Sequence, residues 1–210
     1  MAELGLGDRL ALCLHGFPEC WYPWRYQMPL LAELGFRVWA PDLRGYGGSV
    51  RPPRVQDYAI ECSQHDVCTL VDASRCEATL LLGHDWGALI AWYFAMRWLR
   101  PLDGLVILNL PHPGVMERAL WGKQLLRSWY VLFFQLPWLP EWALAAFDFL
   151  AIRQAFIRMS RNPARFPPEV VGVYLQYAAI PGALTAMLNY YRALLRGSAS
   201  WGILKSRFPP

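Results

Sequence analysis

The chain has 210 residues, 55% hydrophobic and 17% charged, which excludes a disordered chain and allows one α/β domain with a sizeable core. Its formal net charge of +4 is spread along the chain without a basic block, so nucleic-acid binding is not expected. Five cysteines (Cys13, Cys20, Cys62, Cys68, Cys76) show no C-x-x-C spacing and read as free thiols of a reducing compartment, with the cytoplasm as the default; no metal site and no cofactor are implied.

Met1 to Asp8 contains charges and no apolar run, so no signal peptide is expected there. Leu10 to Leu14 has the length of a buried strand and runs into His15-Gly16-Phe17-Pro18-Glu19. Gly16 permits an unusual turn there, and the free backbone N–H of Phe17 is a candidate oxyanion-hole donor. Trp21 to Leu34 reads as a helix closed by Gly35, and Phe36 to Ala40 as the next strand. In the glycine-rich loop Pro41 to Ser49, Asp42 and Arg44 are expected to pair as a brace. Val55 to Ser74 has helical period, and Glu77 to Leu82 is strand-like.

That strand ends in Gly83-His84-Asp85-Trp86-Gly87, and the apolar run Ala88 to Trp92 follows. Strand, Gly-x-Asp-x-Gly and helix in this order match the nucleophile elbow, whose glycines remove Cβ atoms where the strand turns straight into a helix. Asp85 stands where the nucleophile belongs, and the N–H of Trp86, the next residue, is the second oxyanion-hole donor. A carboxylate attacks a saturated carbon to give an ester that water can hydrolyse, which favours opening a strained ring or displacing a halide over cleaving a peptide.

Leu102 to Leu110 is a further strand. Strands alternating with helices predict an α/β fold with a parallel sheet and helices on both faces. After Gly114 strand-like runs stop, and Val115 to Arg196 is helical in period, rich in aromatic residues and broken by prolines, as for a lid over the C-terminal ends of the strands. The longest apolar stretch, Trp129 to Ile152, carries Gln135, Glu141, Asp148 and two prolines, so it predicts a buried or interfacial helix and no transmembrane segment.

His15-Gly16-Phe17-Pro18, Asp42-Leu43-Arg44-Gly45-Tyr46-Gly47 and Gly83-His84-Asp85-Trp86-Gly87 together resemble the α/β-hydrolase-fold epoxide hydrolases. The likeness continues through Phe133-Phe134-Gln135-Leu136-Pro137-Trp138 and Pro181-Gly182-Ala183-Leu184 to Leu188-Asn189-Tyr190-Tyr191-Arg192. The resemblance implies Asp85 as the nucleophile and the N–H groups of Phe17 and Trp86 as the oxyanion hole. It implies Tyr130 and Tyr191 as donors to the epoxide oxygen, with Trp129, Phe134, Gln135 and Tyr190 lining the pocket. A phenol suits that task, being a neutral donor near pH 7 that can protonate an alkoxide. The implied partners are a small hydrophobic epoxide and water, and the product a vicinal diol. The implied organisation is a hydrolase core over 1–113, a helical cap over 114–198 and the start of a further core segment over 199–210.

The family's acid and general-base histidine follow the cap, where this chain stops; His15, His65, His84 and His112 all precede it. A C-terminally truncated chain that forms the ester and releases it poorly is therefore expected. The competing readings are a haloalkane dehalogenase-like hydrolase, which Trp86 and Tyr191 disfavour, and a non-catalytic remnant.

Overall fold

A computed structural model of the chain describes residues 1–120 and 128–196, with the side chains of 117–120 left aside. The segment 197–210, including the expected start of a further core segment, lies outside the described residues.

Strand β2 (Arg9–Leu14) shows how the sheet is built, since Leu10 to Leu14 are all fully buried. Alternate side chains of a strand point to opposite faces. Leu10, Leu12 and Leu14 join one core cluster, while Ala11 and Cys13 join another on the far side. β2 is flanked by β3 (Phe36–Ala40) and β4 (Ala78–His84), both parallel to it, and β5 (Gly104–Leu108) lies parallel beyond β4. A short strand that the hydrophobic pattern did not announce, β1 (Ala2–Leu4), pairs antiparallel with β3, so the order is β1-β3-β2-β4-β5.

Helix α1 (Gln27–Glu33) covers one face through Met28. Helices α2 (Ile60–Ser74) and α3 (Trp86–Met96) cover the other. Two expected helices begin instead as 3-10 turns. Tyr22–Tyr26 carries Pro23 in its first turn ahead of α1, and Val55–Tyr58 is cut from α2 by Ala59, whose extended ψ of 151° cannot continue a helix. The expected Asp42–Arg44 pair does not form. Arg44 forks onto Asp66 of α2 (2.7 and 2.9 Å), whereas Asp42 Oδ1 accepts the Trp21 N–H at 3.0 Å. Two neighbours in sequence thus brace the loop in two directions.

From Pro113 onward the described chain is helical: α4 (Pro113–Leu120), α5 (Trp129–Phe133), α6 (Leu139–Met159), α7 (Pro168–Ala178) and α8 (Ala183–Arg196). α6 is two helices joined by a reversal at Ala146–Phe149, where Phe147, Asp148 and Phe149 have φ between 52° and 57°. α8 is the anchor of this segment, burying Met187 to Ala193 against the core. Among the described residues no single helix is long and apolar enough to cross a membrane.

Candidate active site

Parallel pairing sets the site. Leu14 lies beside Gly83, so the loop after β2 and the turn after β4 emerge side by side at the C-terminal end of the sheet. Asp85 makes that turn in one residue, with φ 51° and ψ −116°, and α3 begins at Trp86. A positive φ is costly for a side-chain-bearing residue and persists only where its surroundings over-determine it. Here Gly87 N–H donates to His15 O (2.9 Å) and Leu89 N–H to Asp85 O (3.0 Å). A Cβ on Gly83 would stand 2.7 Å from Ala88 N, and one on Gly16 would stand 2.7 Å from Asp85 Oδ1. These two positions must be glycine for strand, helix and loop to meet so closely.

Asp85 Oδ1 accepts the Phe17 N–H at 2.8 Å, and the Trp86 N–H lies close enough to the carboxylate to favour its charge. Burial raises the Asp85 pKa above the ordinary carboxylate value, and the Phe17 and Trp86 donors and the nearby His84 offset only part of that rise. In the resting protein the two expected oxyanion-hole donors therefore act on the carboxylate itself, Phe17 through a direct hydrogen bond.

The loop that carries Phe17 is tied down by Glu19. Gly16 N–H donates to Glu19 Oε2 (3.1 Å), Glu19 N–H returns a bond to Gly16 O (3.0 Å), and His84 Nδ1 lies 3.1 Å from the same Oε2. His84, the residue before Asp85, also has its Nε2 3.2 Å from Asn109 Nδ2. Burial opposes a charge on His84, but the Glu19 hydrogen bond and the charges of Glu19 and Asp85 outweigh it and raise its pKa. His15 is buried beneath, its Nε2 accepting the Leu43 N–H at 2.9 Å, so its proton sits on Nδ1, 2.9 Å from Gly16 O. Burial lowers its pKa and keeps it neutral. The pattern of residue types did not single out Glu19 as a link, because only the fold brings it to His84.

Aromatic rings wall the carboxylate. The Tyr191 ring lies 4.9 Å from that of Trp86, 5.3 Å from Phe17 and 5.0 Å from Phe134. Tyr130 meets Tyr191 at 6.0 Å and Phe134 at 5.6 Å. Burial first and the Asp85 charge second raise the pKa of both tyrosines, so both remain protonated donors at neutral pH. Asp85, Phe17, Trp86, Tyr191, Phe134 and Tyr130 thus come together.

The other pocket candidates do not join them. Tyr190 faces the opposite way, buried against Tyr46, Tyr58 and Trp86, with its hydroxyl donating to Arg44 O at 2.9 Å. Adjacent positions on a helix point about 100° apart, so Tyr191 and Tyr190 cannot both face Asp85. Trp129 is 63% exposed, its ring tilted against Phe133 at 6.0 Å. Gln135 spends its amide on Val131 O and Tyr191 O (3.1 and 3.0 Å), tying α5 to α8. A surface hollow lined by Pro137, Trp138, Glu141 and Arg196 holds none of the site residues. No group of three or more potential metal ligands occurs among the described residues.

Residues 12–154 match the family described as alpha/beta hydrolase fold. The chain is 42% identical over 191 residues to the AB hydrolase superfamily protein YfhM of Bacillus subtilis, covering 90% of this chain and 66% of that one. It is 38% identical over 192 residues to epoxide hydrolase 4 of Homo sapiens, covering 89% of this chain and 53% of that one. The crystal structure of an epoxide hydrolase from Vigna radiata superposes with a TM-score of 0.78 at 31% identity, covering 97% of this chain and 70% of that one. The chain thus spans about half the length of the human relative.

Proposed function

Because this chain belongs to the α/β-hydrolase fold family, with epoxide hydrolases among its relatives, we propose that it acts on epoxides through an ester on Asp85. The observation that carries the reading is the carboxylate at the elbow, held by the Phe17 N–H, with two protonated tyrosines near enough to feel its charge.

The oxygen held by Phe17 becomes the ester carbonyl oxygen, which leaves Oδ2 to attack a ring carbon from behind. As the Oδ2–C bond forms, the ring C–O bond breaks, and the alkoxide takes a proton from Tyr191 or Tyr130. A phenol is suited to this because an alkoxide is far more basic than a phenolate. Attack by water on the ester carbonyl would then place negative charge on the oxygen between the Phe17 and Trp86 donors. On collapse the ester C–O bond breaks, one water proton leaves on the diol oxygen and the other restores the tyrosine. The helices from α5 to α8 serve as the cap that carries the tyrosines and keeps bulk water from the ester.

The second step also wants a base. His15 is engaged at both nitrogens, His84 by Glu19 and Asn109, His112 accepts the Gly114 N–H and packs on Trp92, and His65 lies on the exposed side of α2. General-base assistance contributes about 10²–10⁴-fold, so these 210 residues open the ring faster than they release the product.

The test is mass spectrometry of the chain mixed with a styrene-type oxide. The expected result is one substrate mass added on Asp85 with little diol, and no addition in Asp85→Asn. Many turnovers by the chain would overturn the slow release, and halide release from a chloroalkane with no adduct from the epoxide would overturn the epoxide reading.

A further inference from the structure

The outer face of α6 is not needed by the site, and it is unusually apolar. In the first half of α6, Leu144 packs into the core and Pro140 is buried. Trp142 lies two residues from each, on the opposite side of the helix, and is 67% exposed; Trp138, one turn earlier, is 74% exposed. In the second half Ile152 is buried and Leu150 points away from it. Between the halves stands the reversal, which holds Phe147 at φ 52° and 86% exposed. Left-handed backbone is unfavourable for a phenylalanine, and burial does not compensate here, since this ring is held outward.

Charge completes the pattern. Residues 114–196 carry nine Lys or Arg and four Asp or Glu, whereas residues 1–113 carry nine and twelve. The helical segment is therefore cationic and the sheet-bearing half anionic. At the apolar tip the one acid, Asp148, is neutralised by Arg153 at 2.7 Å, and Arg158, further along the same helix, and Arg161, just past its end, lie exposed. Exposed tryptophan and phenylalanine flanked by arginine is the composition of surfaces that rest in the headgroup region of a bilayer, where indole is favoured and arginine meets anionic lipid.

We propose that the outer face of α6, with Trp138, Trp142, Phe147 and Leu150 as the inserted residues, docks the protein on an anionic lipid surface. The docked face lies on the helical segment that carries Tyr130 and Tyr191, which would bring an apolar ligand dissolved in the bilayer close to the aromatic wall around Asp85. Docking itself requires no chemistry at that site.

The test is co-sedimentation of the 210-residue chain with phosphatidylcholine vesicles and with vesicles that also contain phosphatidylglycerol. Binding is expected to the anionic vesicles, weakening as salt is raised. Trp142→Gln with Phe147→Asn should lower it by about tenfold or more, because two aromatic anchors are lost. These residues suit a helix and a left-handed turn respectively, and unchanged circular dichroism would confirm that the variant folds. Arg158→Glu with Arg161→Glu should remove the preference for anionic vesicles. Equal binding to both vesicle types, or undiminished binding by the folded aromatic variant, would overturn the proposal. So would self-association abolished by the same substitutions without vesicle binding, which would assign the face to a second copy. Binding is read without substrate, so its outcome is independent of ester formation on Asp85.

Discussion

Asp85 carries two costs that a purely structural residue would not: a left-handed backbone and a carboxylate whose pKa burial raises. A group with a raised folded-state pKa contributes its full stability below the unfolded value and loses it as pH rises through the folded value. Above its folded pKa the ionised Asp85 therefore destabilises the fold. Asp85→Asn should melt a few degrees higher than the parent at pH 7, and the gap should close as pH falls below the ordinary carboxylate range. Thermal unfolding of both chains across that range checks it; equal melting at every pH would show that the two N–H donors fully offset the burial. His84 follows the same sign with a different consequence. Its pKa is raised, so the Glu19–His84 pair stabilises the loop carrying Phe17 below the ordinary histidine value and fades as pH rises through the folded value. His84→Gln should cost on the order of 1 kcal/mol at pH 6 and progressively less above it. Denaturant unfolding at several pH values would show this, and a pH-independent difference would mean that the pair is held by geometry alone.

At the scale of elements, the contact that joins the helices is centred on Arg192. Buried on α8, it donates to Phe134 O (3.0 Å) and Leu136 O (2.8 Å) and forks onto Glu141 of α6 (2.7 and 3.0 Å). Burial opposes the charge on Glu141, but Arg192 outweighs it and lowers its pKa. Arg192→Ala would leave a carboxylate and two carbonyls without this donor, a loss of about 3–5 kcal/mol in comparable buried pairs. The expected outcome is a large drop in the denaturant midpoint, together with slower alkylation of Asp85, because the same contact sets α5 and α8 and hence Tyr130 and Tyr191. Arg192→Lys should recover only part of this, since an ammonium cannot reproduce the fork. A neutral effect of Arg192→Ala on both readouts would separate the tyrosines from this contact.

For the whole molecule, the sheet is the rigid body and its edges are the soft part. β2 is fully buried from Leu10 to Leu14 and paired on both sides, whereas β1 pairs on one side and β5 leaves Val106 and Leu108 partly exposed. Amide exchange should therefore be slowest in β2 and β4 and fastest in β1. Equal protection across the five strands would contradict that ranking. Much of this architecture was legible in the chain itself. Apolar runs of strand length alternating with helical period specify a parallel α/β sheet, and Gly83-x-Asp85-x-Gly87 after such a run specifies the elbow, because few residue types survive so tight a turn. The same reading named Tyr191, Phe17, Trp86, Tyr130 and Phe134 together with Asp85, and the structure gathers these six at one end of the sheet. The reading put Tyr190 in the pocket, whereas the structure turns it to Arg44, and it could not assign Gln135 to a tie between helices or find Arg44's partner in Asp66 and Glu19's in His84. Local pattern records which residues can bury, turn or ionise. Which way a helix is rotated, and which distant side chain meets a buried charge, depends on packing between segments far apart in sequence, and that was decided only by the tertiary structure.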